Sequence, residues 1–259
     1  MIVVTRHGPP EAGVLELRLD RPPVNALDPA LVDALDGALR AAFAAAAAER
    51  LGALVLSGRP GMFSAGLDVP ALLALDRDAI GRFWERFFAL TRTLAESPLP
   101  IAAALTGHSP AGGTVLGIFC DARFAAAGDY KIGLNEVQVG LCVPPVVLAA
   151  YAHVIGERAA AFHAIQGKLM SPAEALRIGL VDELLPVDAV VPRAIEWAGG
   201  LAKLAPNAMA MTRAFVRRPL IDATRSLEAG TVAEMTEVWW STEAQATLRA
   251  MVARIKKKS

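Results

Sequence analysis

Ser57-Gly58-Arg59-Pro60-Gly61-Met62-Phe63-Ser64-Ala65-Gly66 and Thr106-Gly107-His108-Ser109-Pro110-Ala111-Gly112-Gly113 are the two stretches on which the fold turns. Each follows an apolar strand, Ala53 to Leu56 before the first and Ile101 to Leu105 before the second, and each is too rich in glycine to continue as helix or sheet. Each then runs into a helix. Asp68 caps one that begins near Val69, and the apolar segment Thr114 to Phe119 leaves the other. A strand, a glycine turn and a helix, met twice, predict an α/β core.

The same pattern extends to both sides. Ile2 to Thr5 and Val14 to Leu19 read as two short pairing strands, the second alternating Leu15, Leu17 and Leu19 with Glu16 and Arg18. After Arg21-Pro22-Pro23-Val24-Asn25, Asp28 followed by Pro29 opens a helix that runs through the alanines at 44–48. Between the glycine stretches a long helix is expected from about Asp76 to Glu96, stopped by Pro98 and Pro100. Further strands are expected at Arg123 to Ala126 and Tyr130 to Ile132. Ser171-Pro172-Ala173-Glu174 is a capping box, Gly179 closes its helix, and Leu180 to Leu185 reads as a final strand. From Asp188 the pattern is helical. The expected organisation is a core over 1–187 and a helical oligomerisation region over 188–259. In the latter, Trp197, Leu201, Met209, Met211, Phe215, Trp239 and Trp240 are expected to pack against neighbouring subunits.

Lys plus Arg and Asp plus Glu both number 26, so no dominant charged surface is on offer and nucleic acid is a poor partner. With 54% hydrophobic and 20% charged residues among 259, the chain is globular, buries a sizeable core, and is expected to form an oligomer. Cys120 and Cys142 make neither a disulfide framework nor a zinc pair, which fits a reducing, cytoplasmic setting. The apolar start is too short for a signal peptide, and the apolar region Leu99 to Phe119 is too interrupted to span a membrane.

Several familiar constellations fail for physical reasons. Gly107-His108-Ser109-Pro110-Ala111 has the outline of a hydrolase nucleophile elbow, but Pro110 removes the backbone N–H after the serine that an oxyanion hole needs. Gly107 to Thr114 has the spacing of a phosphate loop with Gly113 where the lysine belongs. No dinucleotide fingerprint follows a strand, and His7, His108, His153 and His163 show no metal-ligand spacing, so no cofactor and no metal are expected. The two glycine turns remain. Backbone N–H groups exposed at helix starts can converge on one oxygen and stabilise charge developing on a carbonyl. The plainer reading is that the glycines only make tight turns and that Asp68 is a helix cap.

Taken in order, Arg21-Pro22-Pro23-Val24-Asn25-Ala26-Leu27, Phe63-Ser64-Ala65-Gly66-Leu67-Asp68, Pro110-Ala111-Gly112-Gly113, Cys120-Asp121-Ala122-Arg123, Ser171-Pro172-Ala173-Glu174-Ala175 and Gly179-Leu180-Val181-Asp182 resemble the crotonase superfamily of enoyl-CoA hydratases and isomerases. The likeness covers nearly the whole chain. It implies an α/β spiral of strand-strand-helix turns with a C-terminal helical region, an acyl-CoA thioester as substrate, and a homotrimer or dimer of trimers. It also implies an oxyanion hole from the N–H groups of Leu67 and Gly112. Coenzyme A, part of the substrate, is expected against the loops carrying Ala26, Ala65, Gly66 and Asp68.

Hydratases of this superfamily carry two glutamates. By the same resemblance the first would stand at Val115 here, while the second falls at Glu136 in Ile132-Gly133-Leu134-Asn135-Glu136-Val137-Gln138-Val139-Gly140. That segment is most similar to the mitochondrial delta-3, delta-2-enoyl-CoA isomerases, which use a single glutamate and share Pro-Ala-Gly-Gly. The resemblance therefore implies an isomerase with Glu136 as base and Asn135 as a substrate contact. One carboxylate suffices to move a proton from the α-carbon to the γ-carbon while the oxyanion hole holds the dienolate. Two alternatives stand beside it. One is a hydratase or other crotonase reaction with a second acid from elsewhere, such as Glu85. The other is a non-catalytic acyl-CoA-binding or RNA-binding member, against which zero net charge and 6% aromatics speak in the RNA case.

Overall fold

The computed structural model describes residues 1–9 and 13–256. Its main sheet has six strands in the order β1 (Ile2–His7), β2 (Gly13–Leu19), β3 (Leu51–Ser57), β5 (Ile101–Leu105), β7 (Ala122–Ala126) and β9 (Glu183–Leu185). The first pair is antiparallel and the others are parallel. A second, parallel sheet joins β4 (Gly61–Met62), β6 (Gly107–Pro110) and β8 (Ile132–Gly133). The chain therefore visits the large sheet, then the small one, then a helix, and does so three times. The helices following these visits are α2 (Val69–Leu72) with α3 (Arg77–Ala95), α4 (Gly112–Ile118), and α5 (Pro145–Ile155). This is the expected strand-strand-helix spiral.

Local chemistry sets the helix starts. Asp28 accepts from the Leu31 N–H to open α1 (Pro29–Ala45), Asp68 from Ala71 to open α2, and Asp76 from Ala79 to open α3. Ser171 and Glu174 form the reciprocal capping box of α7 (Pro172–Arg177). The glycine stretches differ from expectation, because β4 and β6 lie inside them rather than a plain turn. A Cβ at Gly107 would stand 2.0 Å from the Gly61 carbonyl carbon, so glycine is what lets these two short strands approach. Other bounds shift as well: β1 runs on to His7, α1 stops at Ala45 short of the expected 48, β3 extends over Leu51–Ser57, α4 starts at Gly112 rather than Thr114, β8 covers Ile132–Gly133 rather than 130–132, and β9 covers only Glu183–Leu185.

Alternation along the strands divides the core. Leu54 and Leu56 of β3 face α1 and α3, while Ala53 and Val55, with Ala102 and Ala104 of β5, face Val190, Ala194 and Ala198 of α8 (Val190–Leu201). Both faces of the sheet are thus covered, as parallel strands require. The remaining helices are α6 (Glu157–Gln166), α9 (Pro206–Trp240) and α10 (Thr242–Lys256).

The C-terminal helices fold back over their own chain. Trp239 of α9 is wholly buried, edge-on to Trp84 of α3 with ring centres 6.4 Å apart. Arg217 is buried as well, donating to the carbonyls of Leu94, Ala95 and Phe119 and pairing with Asp121, which Arg213 also holds at 2.8 Å. Helix α10 reaches the turn at Gly140, where a Cβ would lie 3.1 Å from the Ala244 Cα. The expectation that Trp239 meets a neighbouring subunit is therefore corrected: its indole is a core residue of this chain. Trp197 likewise packs on Phe124, at 6.0 Å between ring centres. Met211 and Phe215 are exposed, at 59% and 58%. Among the described residues no helix is long and apolar enough to cross a membrane.

Candidate active site

The two glycine turns, 45 or so residues apart in sequence, lie against one another. A Cβ placed on Gly66 would stand 3.1 Å from the Gly112 nitrogen, and one on Gly112 would stand 3.2 Å from the Gly66 Cα. Among the described residues no acceptor takes the Leu67 or the Gly112 N–H. Gly112 is the first residue of α4, where an unused N–H is the rule for a helix start. Ala111, just before it, has φ +47°, a conformation that costs a non-glycine residue about 1–3 kcal/mol. Its own N–H is anchored on the Gly133 carbonyl of β8, which fixes the turn.

A polar network fastens the loop at 22–26 to the first turn. Asn25, buried with φ +50°, donates to the carbonyls of Leu19 and Phe63 and accepts from the Arg21 N–H. Ser64 donates to the Asn25 carbonyl, and its oxygen accepts from the Gly66 N–H. Arg21 binds both helix caps at once, Asp28 at 2.8 Å and Asp68 at 2.9 Å, and reaches the Ala26 carbonyl. Asp68 is thus a cap and an ion-pair partner. Arg21 was legible in the sequence only as part of a turn, because its two partners lie 7 and 47 positions away.

Glu136 stands at the start of a short 3-10 turn, Glu136–Val139. It separates two cavities that also share Leu67 and Leu141. The outer one, about 180 Å³, is bordered by Ala65, Ala111, Asn135 and Met251 of α10. The inner one, about 30 Å³, is bordered by Trp84, Phe87, Gly112, Val115, Cys142 and Val147. The glutamate as a whole is half-buried, but its Oε2 is out of solvent and has no partner among the described residues. Burial pushes its carboxyl up to about 7, against the opposing pull of the backbone N–H groups of Glu136 and Asn135. A carboxyl poised there can both take and give a proton near neutral pH.

The sequence-derived candidates come together. Glu136, Leu67, Gly112, Ala65 and Asn135 border the cavities, Gly66 sits behind the Gly112 turn, and Ala26 and Asp68 lie in the loops that Arg21 ties together. Glu136 is the one ionisable carboxyl bordering either cavity among the described residues. Glu85, the alternative second acid, is exposed on α3 and borders neither. Trp84, Phe87 and Met251 were not foreseen as site residues. Their only sequence signal was apolar spacing on helices, which a core face produces equally well. Among the described residues no cluster of His, Cys, Asp or Glu could hold a metal ion.

Comparison with known proteins adds to this geometry. The family model described as enoyl-CoA hydratase/isomerase matches residues 10–239. The chain is 30% identical to rat "Enoyl-CoA delta isomerase 1, mitochondrial", over 99% of this chain and 88% of that protein. It is 29% identical to a "Probable enoyl-CoA hydratase EchA17" of Mycobacterium bovis, over 82% of this chain and 80% of that protein. Among solved structures, human mitochondrial delta3-delta2-enoyl-CoA isomerase superposes with a TM-score of 0.91 at 28% identity, covering 99% of both chains.

Proposed function

The chain belongs to the enoyl-CoA hydratase/isomerase family, and from that premise we propose that it is an isomerase converting a 3-enoyl-CoA to the conjugated 2-enoyl-CoA. The observation that carries the reading is the single carboxyl of the cavities: Glu136 borders the inner one together with Val115, and among the described residues no second acid borders either. In this reading the thioester carbonyl sits between the Leu67 and Gly112 N–H groups, which bind its oxygen more strongly as it becomes an enolate oxygen. Glu136 removes the α-proton, and the negative charge spreads over the dienolate. The same carboxyl, now protonated, returns the proton at the γ-carbon. The bond shift balances with no other reactant, so no cofactor is needed beyond the coenzyme A carried by the substrate. Adding water would require a second group to orient and activate it, and Val115 offers none.

Ala26, Ala65, Gly66 and Asn135 are the proposed contacts for the thioester and pantetheine, with Asp68 shaping their loop through Arg21. The acyl chain would run from the outer cavity toward the apolar side of the inner one, where Trp84 and Phe87 stand. The test is a pair of rates on the unmodified protein: isomerisation of 3-enoyl-CoA and hydration of 2-enoyl-CoA. Isomerisation is expected to be the faster by at least tenfold, a margin of about 1.4 kcal/mol in barrier. In deuterated water the γ-position should take up deuterium only partially, because one carboxyl carries the proton across. Hydration outrunning isomerisation would replace this reading with that of a hydratase.

A further inference from the structure

Val147 of α5 borders the inner cavity together with Glu136, and Tyr151 stands one helical turn further along the same face of α5. Tyr151 is wholly buried, yet its hydroxyl has no hydrogen-bond partner among the described residues, and the same holds for Glu136 Oε2. An unsatisfied phenol and an unsatisfied carboxyl oxygen are each costly in an apolar interior, and they are complementary, since the phenol donates and the carboxylate accepts. Burial, and after it the charge of Glu136, push the Tyr151 hydroxyl up to about 12.

We propose that Tyr151 is a positioning residue for Glu136: its hydroxyl donates to a bridging water that donates in turn to the carboxylate, and so holds it in the orientation from which it reaches the substrate. The proposal rests on the reading of Glu136 as the base. Tyr151 borders neither cavity, so it acts through Glu136 and not on the substrate.

The other titratable groups around the glutamate are placed differently. The Cys142 thiol, raised mainly by burial and then by Glu234 and Glu136, is a weak donor and lies 3.7 Å from Met235 Sδ. His153, also on α5, is lowered by burial and then by Arg217 and Arg123, on the side away from the cavity. On α6, His163 is lowered by burial and then by Lys168 and Arg177. Helix α4 carries no titratable side chain, and Glu243, Arg249 and Arg254 of α10 are exposed.

Tyr151→Phe keeps the ring and its packing and removes only the oxygen. The acidic limb of kcat/KM, which reports the base of the free enzyme, should move up by about one pH unit. At about pH 6 that is a roughly tenfold loss, with the high-pH plateau and KM changed by less than about twofold. The chain has two tyrosines, and replacing both by 3-fluorotyrosine, whose hydroxyl is the stronger donor, should move the limb to lower pH. Should Tyr151→Phe fail to fold, the fluorotyrosine protein decides alone. A limb that stays in place in every folded protein tested overturns the proposal while leaving Glu136 as base. A wild-type profile without the limb, or an active Glu136→Gln, overturns the reading of Glu136 and this proposal together.

Discussion

The carboxyl of Glu136 lies where its charge is least welcome, and that placement has consequences for both rate and stability. With its carboxyl raised to about 7, the glutamate is uncharged in the folded protein at mildly acidic pH, and kcat/KM should rise as pH passes through about 7. The stability effect has the opposite sign. Below the ordinary carboxyl value both folded and unfolded chains hold the proton, and nothing is lost. As pH rises toward 7 the unfolded chain ionises first, so the folded state loses stability, by about 3 kcal/mol once both are ionised. Glu136→Gln should therefore abolish turnover, leave affinity for a CoA thioester nearly unchanged, and melt higher than wild type at about pH 8 but not at about pH 4. Calorimetry at the two pH values checks the stability half. A variant that melts lower at both would show the glutamate to be a structural residue. Of these properties, the identity of the residue came from the resemblance of its segment, while its buried, unpartnered oxygen depends on side chains from α3, α4 and α5 that no local pattern ties to it.

Strands β4, β6 and β8 are too short to stand alone, since they hold two to four residues each and gain their stability from lying side by side. They carry the turns at Phe63 to Asp68 and Pro110 to Gly113, so their spacing sets the distance between the Leu67 and Gly112 N–H groups. Gly107 is the tightest point of that spacing. Gly107→Ala should force β6 from β4 and destabilise the protein by about 3 kcal/mol, with activity lost in whatever fraction still folds. Urea denaturation gives the first quantity. An alanine variant of wild-type stability and rate would mean that the small sheet does not set the site. The sequence showed these stretches as glycine-rich turns and hid the strands in them, because pairing across 46 positions leaves no period-2 pattern in two residues.

Over the whole molecule, the helices after residue 188 do two different things. Their inner faces complete the chain's own core and site, through Trp239, Arg217 and Met251. Their outer faces leave Met211 and Phe215 exposed and an apolar groove of about 470 Å³ bordered by Trp197, Leu201, Met209 and Val216. Apolar surface of this kind on a chain without net charge is expected to be covered by further copies. We predict that sedimentation shows a trimer or a multiple of it, and that Met211→Glu combined with Phe215→Glu shifts the population to smaller species. A monodisperse monomer at micromolar concentration would contradict this.

By itself the sequence determined the α/β class, the helix starts at Asp28, Asp76 and Ser171, the two glycine turns and, through their order and spacing, the family. These are properties of short windows, in which a capping oxygen or a missing Cβ acts within a few residues. What only the tertiary structure decided are meetings between distant windows: Arg21 with Asp28 and Asp68, Gly66 with Gly112, Trp239 with Trp84, and the enclosure of Glu136. The proposed proton transfer depends on those meetings, because a carboxyl is pushed up to about 7 only when several elements together exclude water from it.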